Sequence, residues 1–268
     1  MSSTATPTGL VRVERPLPSV ALVTLNRPQA RNALSMALRR ELVSTFAQLA
    51  DDAELRVVVL AAAGDVFCAG LDLKELGASA DPSAAVVSSP QDNPAAAVAD
   101  FPWPVIGAIQ GAAVTGGFEL ALACDVLLAS PQARFADTHA RVGVLPGWGL
   151  SQKLQRLIGV ARAKEMSFSG NFIDAPQALA WGLVNRVVPP EQLLPQALQL
   201  AADMAGVLPE ALRAYKRLID DGAALPLADA LRLEREHCAQ WAAGLTGDAV
   251  ESRRRAVTER GRGQQSND

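Results

Sequence analysis

Apolar residues recur along this chain in two rhythms, and the change from one to the other outlines the fold. Short unbroken apolar runs, the pattern of strands buried on both faces, occur at residues 20–25 (VALVTL), 55–61 (LRVVVLA), 105–109 (VIGAI) and 126–129 (VLLA). A further strand-like piece at 10–14 is split from the first run by Pro16 and Pro18, and residues 134–136 and 184–188 add short ones. Between them the spacing turns helical. Leu38, Leu42, Phe46 and Leu49 predict a helix running to about Ala50, with Asn32 or Ser35 as its cap. Residues 151–158, 161–168 and 176–181 read as helices, and from Pro190 onward only amphipathic helices remain, broken near Pro209 and Pro226. Residues 77–99, rich in Ala, Ser, Pro and Asp, read as a mobile lid or a loosely packed helix. Alternating strands and helices over the first two thirds, then helices alone, predict the α/β class with a helical C-terminal part that packs on the core or on another subunit.

Composition narrows the picture without naming a function. At 268 residues and 49% hydrophobic, the chain can build one large domain, or one with an appendage, around a sizeable core. A net charge of -3 argues against nucleic acid as a partner, and no apolar run is long enough to span a bilayer. The opening MSSTATPTGLVRVERP has no basic region followed by an apolar segment, so a secretory signal is not expected. Cys68, Cys124 and Cys238 are far apart, odd in number and without metal-ligand spacing. They point to a reducing compartment, with a cytoplasmic location as the expectation.

The chemistry concentrates in VIGAIQGAAVTGGFELALACD, residues 105–125. A buried strand leads to Gly116 and Gly117, where backbone N–H groups can approach a ligand with no Cβ in the way. From Phe118 the spacing is helical, so those amides sit near a positive helix N-terminus. Glu119 is a lone carboxylate among apolar neighbours. It reads either as a first-turn acid favoured by the helix dipole or as a proton carrier beside amide donors that stabilise an enolate.

Five segments, in order along nearly the whole chain, carry a family resemblance: NRPQARNALS at 26–35, FCAGLDLKEL at 67–76, PVIGAIQGAAVTGGFELALACD at 104–125, ARFADTHARVGVLPGWG at 133–149 and GLVNRVV at 182–188. On these motifs the chain resembles the crotonase, or enoyl-CoA hydratase/isomerase, superfamily. The resemblance implies a spiral of repeated ββα units over residues 1–200 and a helical C-terminal region, 201–268, for oligomerisation into a trimer or a hexamer. It further implies an acyl-CoA thioester substrate, with no metal and no redox cofactor, CoA being part of the substrate. Carried over by position, Leu71 and Gly116 donate backbone N–H groups to the thioester oxygen, and Glu119 is the acid/base. The CoA moiety lies along Ala69, Gly70, Asp72, Leu73 and Lys74, with Gly117 and Trp148 also against the substrate.

The family's second glutamate would fall at position 139, which holds histidine. Histidine can do acid–base work near neutral pH, so His139 is the candidate second group, with Asp137 a third if its loop turns inward. Trp148 follows Pro146-Gly147 in a loop expected to border the acyl pocket, where a bulky ring would restrict chain length or branching. The expected activity is enoyl-CoA hydration in fatty-acid or related acyl-CoA catabolism. Double-bond isomerisation and thioester hydrolysis are the rivals within the family, and a non-catalytic acyl-CoA-binding protein is the rival from another class.

Overall fold

In the computed structural model, residues 9–248, 250, 251, 253, 254, 257 and 258 are described. They form two compact units, one ending at Arg213 and the other beginning at Ala214. Residues 1–8, which open the segment read for a secretory signal, lie outside the described residues.

The first unit is a spiral in which each turn runs strand, corner, second strand or bridge, then helix. Its first turn holds the hairpin β1 (Val11–Leu17) and β2 (Val20–Leu25) and then α1 (Met36–Ala50). The second holds β3 (Val57–Ala62), α2 (Leu73–Ala78), α3 (Pro82–Val86) and α4 (Pro94–Ala99). The third holds β4 (Val105–Ile109), β5 (Ala112–Val114) and α5 (Gly116–Leu122). The fourth holds β6 (Val126–Ala129), β7 (Arg134–Ala136) and α6 (His139–Val142). After these come α7 (Leu150–Ile158), α8 (Val160–Ser169), β8 (Ile173–Asp174), α9 (Ala175–Ala180), β9 (Arg186–Val187), α10 (Pro190–Ala205) and the start of α11 (Pro209–Ala223). The second unit contains α12 (Leu227–Ala242), which has no buried residue and leaves Leu227, Leu231 and Trp241 exposed.

The larger sheet has the order β1-β2-β3-β4-β6-β9, antiparallel only between β1 and β2. The inner strands β2, β3, β4 and β6 are apolar on both faces because both faces are covered, whereas β1 exposes Glu14 and Arg15. Val20, Val57, Val59, Ile106 and Leu128 turn to Leu193, Ala197 and Ala201 of α10. Alternate residues, among them Ala21, Val23, Val58, Leu60 and Val105, turn to the core shared with Leu38, Leu42 and Phe46 of α1. Each aliphatic side chain fully buried this way stabilises the fold by about 1.5–3 kcal/mol. The smaller sheet, β5-β7-β8, is continued past β5 by a parallel bridge between Cys68 and Ala113. Successive turns therefore stack in register on two sides.

Local departures from the expected elements have plain causes. β1 runs through Pro16 to Leu17, because an edge strand tolerates a missing N–H, and the chain turns at Ser19 with φ +60°. Ser35, not Asn32, caps α1, its hydroxyl accepting from Leu38 N at 3.3 Å. Asn32 is instead fully buried at φ +53°, with its amide donating to the carbonyls of Ala63 and Val66. Residues 77–99 are several short helices rather than one, and Ala95 and Val98 of α4 belong to the core. Residues 184–188 pair only over β9, and the helix expected at 176–181 starts one residue earlier.

Gly117 shows how tightly the turns stack. A Cβ there would lie 2.3 Å from the Cys68 carbonyl oxygen and 2.7 Å from Cys68 Cβ. Gly117→Ala is expected to destabilise the protein by about 3 kcal/mol, since backbone cannot yield as a flexible side chain can. Urea denaturation measures it, and an unchanged midpoint would contradict this packing.

Candidate active site

The stacking brings equivalent corners of successive turns together. Gly70 has φ +90°, and a Cβ on it would meet Val114 O at 2.8 Å and Gly116 N at 3.3 Å. Leu71 N lies 3.6 Å from where a Cβ on Gly116 would stand. The amides of Leu71 and Gly116 thus lie side by side, and Gly116 opens α5, where N–H groups have no partner within the helix. Thr115, at φ +53° and ψ -115°, makes the sharp corner before α5. Its N–H donates to Ala136 O at 2.9 Å, and its hydroxyl is 2.5 Å from that of Thr138. Those bonds tie the Glu119 helix to the corner that carries His139.

Glu119 is 3% exposed and directed inward by α5. Its Oε1 accepts from the backbone N–H groups of Trp148 at 2.8 Å and Leu150 at 3.3 Å. That leaves Oε2, which lies 3.5 Å from His139 Nε2. On the far side of the ring, His139 Nδ1 is 2.7 Å from Asp137 Oδ1, and the same oxygen accepts from His139 N at 3.1 Å. Burial opposes a charge on His139, but the bonds to Asp137 and Glu119 prevail and push its pKa up to about 9. Burial likewise opposes ionisation of Asp137, yet the bonds from His139 and Ser167 hold its carboxyl below the usual range. At neutral pH the imidazole is a cation. In that form it donates a proton or a hydrogen bond.

The other expected site residues are placed as follows. Trp148 is buried against Gly116, its Cζ3 3.2 Å from the glycine's Cβ position. Gly117 faces Cys68. Ala69 N donates to Arg31 O at 3.1 Å, and the Gly70 carbonyl accepts from Leu34 N at 2.8 Å. Asp72 caps α2 by accepting from Lys74 N and Glu75 N, and its other oxygen pairs with Arg27 at 2.6 Å. The bond from Arg27 holds its carboxyl below the usual range, so this side chain shapes the 69–74 loop. Leu73 and Lys74 are exposed at the start of α2. Burial pushes the Cys68 thiol up to about 12, which leaves it an inert core residue.

Sequence reasoning missed Arg39. It is 1% exposed and pairs with Asp92 at 3.0 Å behind the Trp148 ring. Breaking a buried pair of this kind by removing one partner costs about 3–5 kcal/mol. The signal was its spacing: Arg39 precedes Leu42 by three and Phe46 by seven, which puts a cation on the apolar stripe of α1. The backbone donors of Trp148 and Leu150 had no signal, because any residue type supplies an N–H.

Among known proteins, the family model described as enoyl-CoA hydratase/isomerase matches residues 17–246. A probable peroxisomal enoyl-CoA hydratase of Arabidopsis thaliana is 36% identical over 94% of both chains. The 2,3-dehydroadipyl-CoA hydratase of Escherichia coli is 40% identical over 81% of this chain and 84% of its own. The crystal structure of an enoyl-CoA hydratase from Bacillus anthracis superposes with a TM-score of 0.85 at 37% identity, covering 94% of this chain and 96% of the other. The chain belongs to the enoyl-CoA hydratase/isomerase family, and its stacked ββα turns followed by C-terminal helices are the crotonase-like fold.

The protein has two histidines, so their ring-proton NMR signals are readily separated. His139 is expected to titrate near pH 9. In Asp137→Asn its midpoint should fall by at least about one unit, because an ionised partner is lost. A wild-type midpoint near 6.5 would contradict the geometry described.

Proposed function

We propose that this chain is an enoyl-CoA hydratase, a hydro-lyase that adds water across a 2-enoyl-CoA to give a 3-hydroxyacyl-CoA in fatty-acid or related acyl-CoA catabolism. The observation that carries the reading is the orientation of Glu119: one oxygen is pinned by two backbone amides, and the other faces His139, both residues lining one cavity with Leu71. Water held between Glu119 Oε2 and His139 attacks Cβ of the enoyl group, and Glu119 takes its proton. The π electrons move toward the thioester, and charge collects on its oxygen, which faces the two amides. A donor so placed contributes about 3–4 kcal/mol to the barrier reduction. His139 then gives its Nε2 proton to Cα and recovers one from Glu119, so the cycle closes with one water added. The protonated state of His139 is what this step requires.

CoA runs along the 69–74 loop, mainly through backbone groups, because the Asp72 carboxylate is already engaged. The same reading makes the protein a homotrimer or a dimer of trimers assembled through residues 201–268. The exposed Leu227, Leu231 and Trp241 support that part. A cytoplasmic location completes it. Among the described residues no helix is long and apolar enough to cross a membrane, and the three cysteines form no disulfide.

Crotonyl-CoA offered to the wild type should lose its conjugated absorbance and give a product heavier by one water. Glu119→Gln should lower kcat by roughly 1,000-fold, within the range for a lost general acid/base. Free CoA as product would indicate a thioesterase. Turnover of a 3-enoyl-CoA to its conjugated isomer, without hydration of crotonyl-CoA, would indicate an isomerase. The pH profile of kcat/KM should fall above about pH 9 as His139 loses its proton. In Asp137→Asn that limb should move to lower pH, and a limb left in place would remove His139 from the mechanism.

A further inference from the structure

The indole of Trp148 packs beside Gly116, its Cζ3 3.2 Å from where a Cβ on that residue would stand. The cavity bounded by Leu71, Val86, Glu119, His139, Leu145 and Trp148 has a volume of about 10 Å³, roughly one water. A void of that size holds no acyl group, so room for one must come from displacing that ring or its neighbours, and the displacement grows with chain length.

The ring is braced from behind by a buried charge. Trp148 Nε1 donates to Ser88 Oγ at 2.7 Å, and the Arg39 guanidinium carbon lies 5.1 Å from the indole centroid. Arg39 Nη2 donates to the same Ser88 oxygen at 2.6 Å and to Asp92 Oδ1 at 3.0 Å, and its Nε donates to Asp92 O at 2.8 Å. Arg39 comes from α1, Ser88 and Asp92 from the segment after α3, and Trp148 from the loop before α7, so the brace joins separate stretches of the chain. Turning the indole aside breaks its bond to Ser88 and strips the ring from a desolvated cation. Methylene groups of a longer acyl chain bring no polar contacts to replace those.

We propose that Arg39, acting as a positioning residue through Ser88 and Trp148, sets the length limit of the acyl pocket. The substrate is then a short, unbranched 2-enoyl thioester of 2-butenoyl size. The identity of the reaction is taken from the reading above, whereas the wall is a property of the acyl site itself. Arg39 is charge-balanced by Asp92 inside the fold, so the wall is not a receptor for a terminal carboxylate on the acyl group.

The test compares kcat/KM for 2-butenoyl-, 2-hexenoyl- and 2-decenoyl-CoA in the wild type, Arg39→Met, Arg39→Lys, Ser88→Ala and Trp148→Ala. Dissociation constants for saturated butyryl- and decanoyl-CoA are measured alongside by calorimetry, which needs no chemistry. The wild type should favour the butenoyl over the decenoyl substrate on the order of 100-fold. Arg39→Met, Ser88→Ala and Trp148→Ala should narrow that ratio by roughly 10-fold or more, and Arg39→Lys should retain part of it. Should Arg39→Met fail to fold, Ser88→Ala decides, since Ser88 lies at the surface end of the brace. Tighter binding of butyryl-CoA that these variants abolish, without turnover of any enoyl-CoA, would sustain the wall while sinking the hydratase reading. A wild type that prefers decenoyl-CoA or a dicarboxylic enoyl thioester, or folded variants that keep the wild-type ratio, would overturn the proposal.

Discussion

The structure depends on a close backbone approach between the second and third turns of the spiral. Cys68, Gly70 and Leu71 press against Val114, Gly116 and Gly117 at distances that leave no room for a Cβ on either Gly70 or Gly117. The parallel bridge between Cys68 and Ala113 and the bond from Val114 N to Cys68 O, at 3.0 Å, hold that contact. From it follow the juxtaposed amides of Leu71 and Gly116, the direction of α5, and the inward course of Glu119. One added methyl group at Gly70 or Gly117 would push these two turns apart without any change at Glu119 or His139.

Around this contact the interior accommodates charge in two places, each balanced by a different partner set. In the first, Glu119 and Asp137 flank the His139 imidazole, and two backbone amides donate to the other oxygen of Glu119. In the second, Arg39 is matched by Asp92 and roofed by Trp148. Buried charges are stable only with such partners, and each group here is held by bonds from more than one element. Trp148 belongs to both clusters: its backbone N–H holds Glu119, and its ring leans on Arg39. The Glu119–His139 cluster and the Arg39 cluster are therefore linked through one residue.

Replacing the family's second glutamate with histidine alters the electrostatics of the site. Two facing carboxylates repel and must share protons, whereas a carboxylate facing an imidazolium attracts it. Asp137, two residues earlier on the same corner, keeps the imidazole charged. The substitution and its compensating aspartate lie within one tripeptide, Asp137-Thr138-His139, and Thr138 ties that corner to Thr115. The pair behaves as one unit.

Much of this was legible in the sequence, for definite reasons. Apolar runs at 20–25, 105–109 and 126–129 mark strands because both faces of the larger sheet are covered, and the glycines at 116 and 117 with an acid following mark the amide-lined helix start. Such features are local, and residue type alone reveals them. The extent of β1 through Pro16, the breakup of residues 77–99 into short helices and the choice of Ser35 as cap depend on which edge is free and which side chain finds a distant partner. The protonation of His139 and the burial of Arg39 are further from view, because both arise from groups brought together across turns of the spiral. Sequence by itself determined the buried inner strands, the glycine-led start of α5 and the identity of the chemical groups. Only the tertiary structure decided which oxygen of Glu119 faces His139 and which charge stands behind Trp148, since those depend on distances between segments that chain order does not encode.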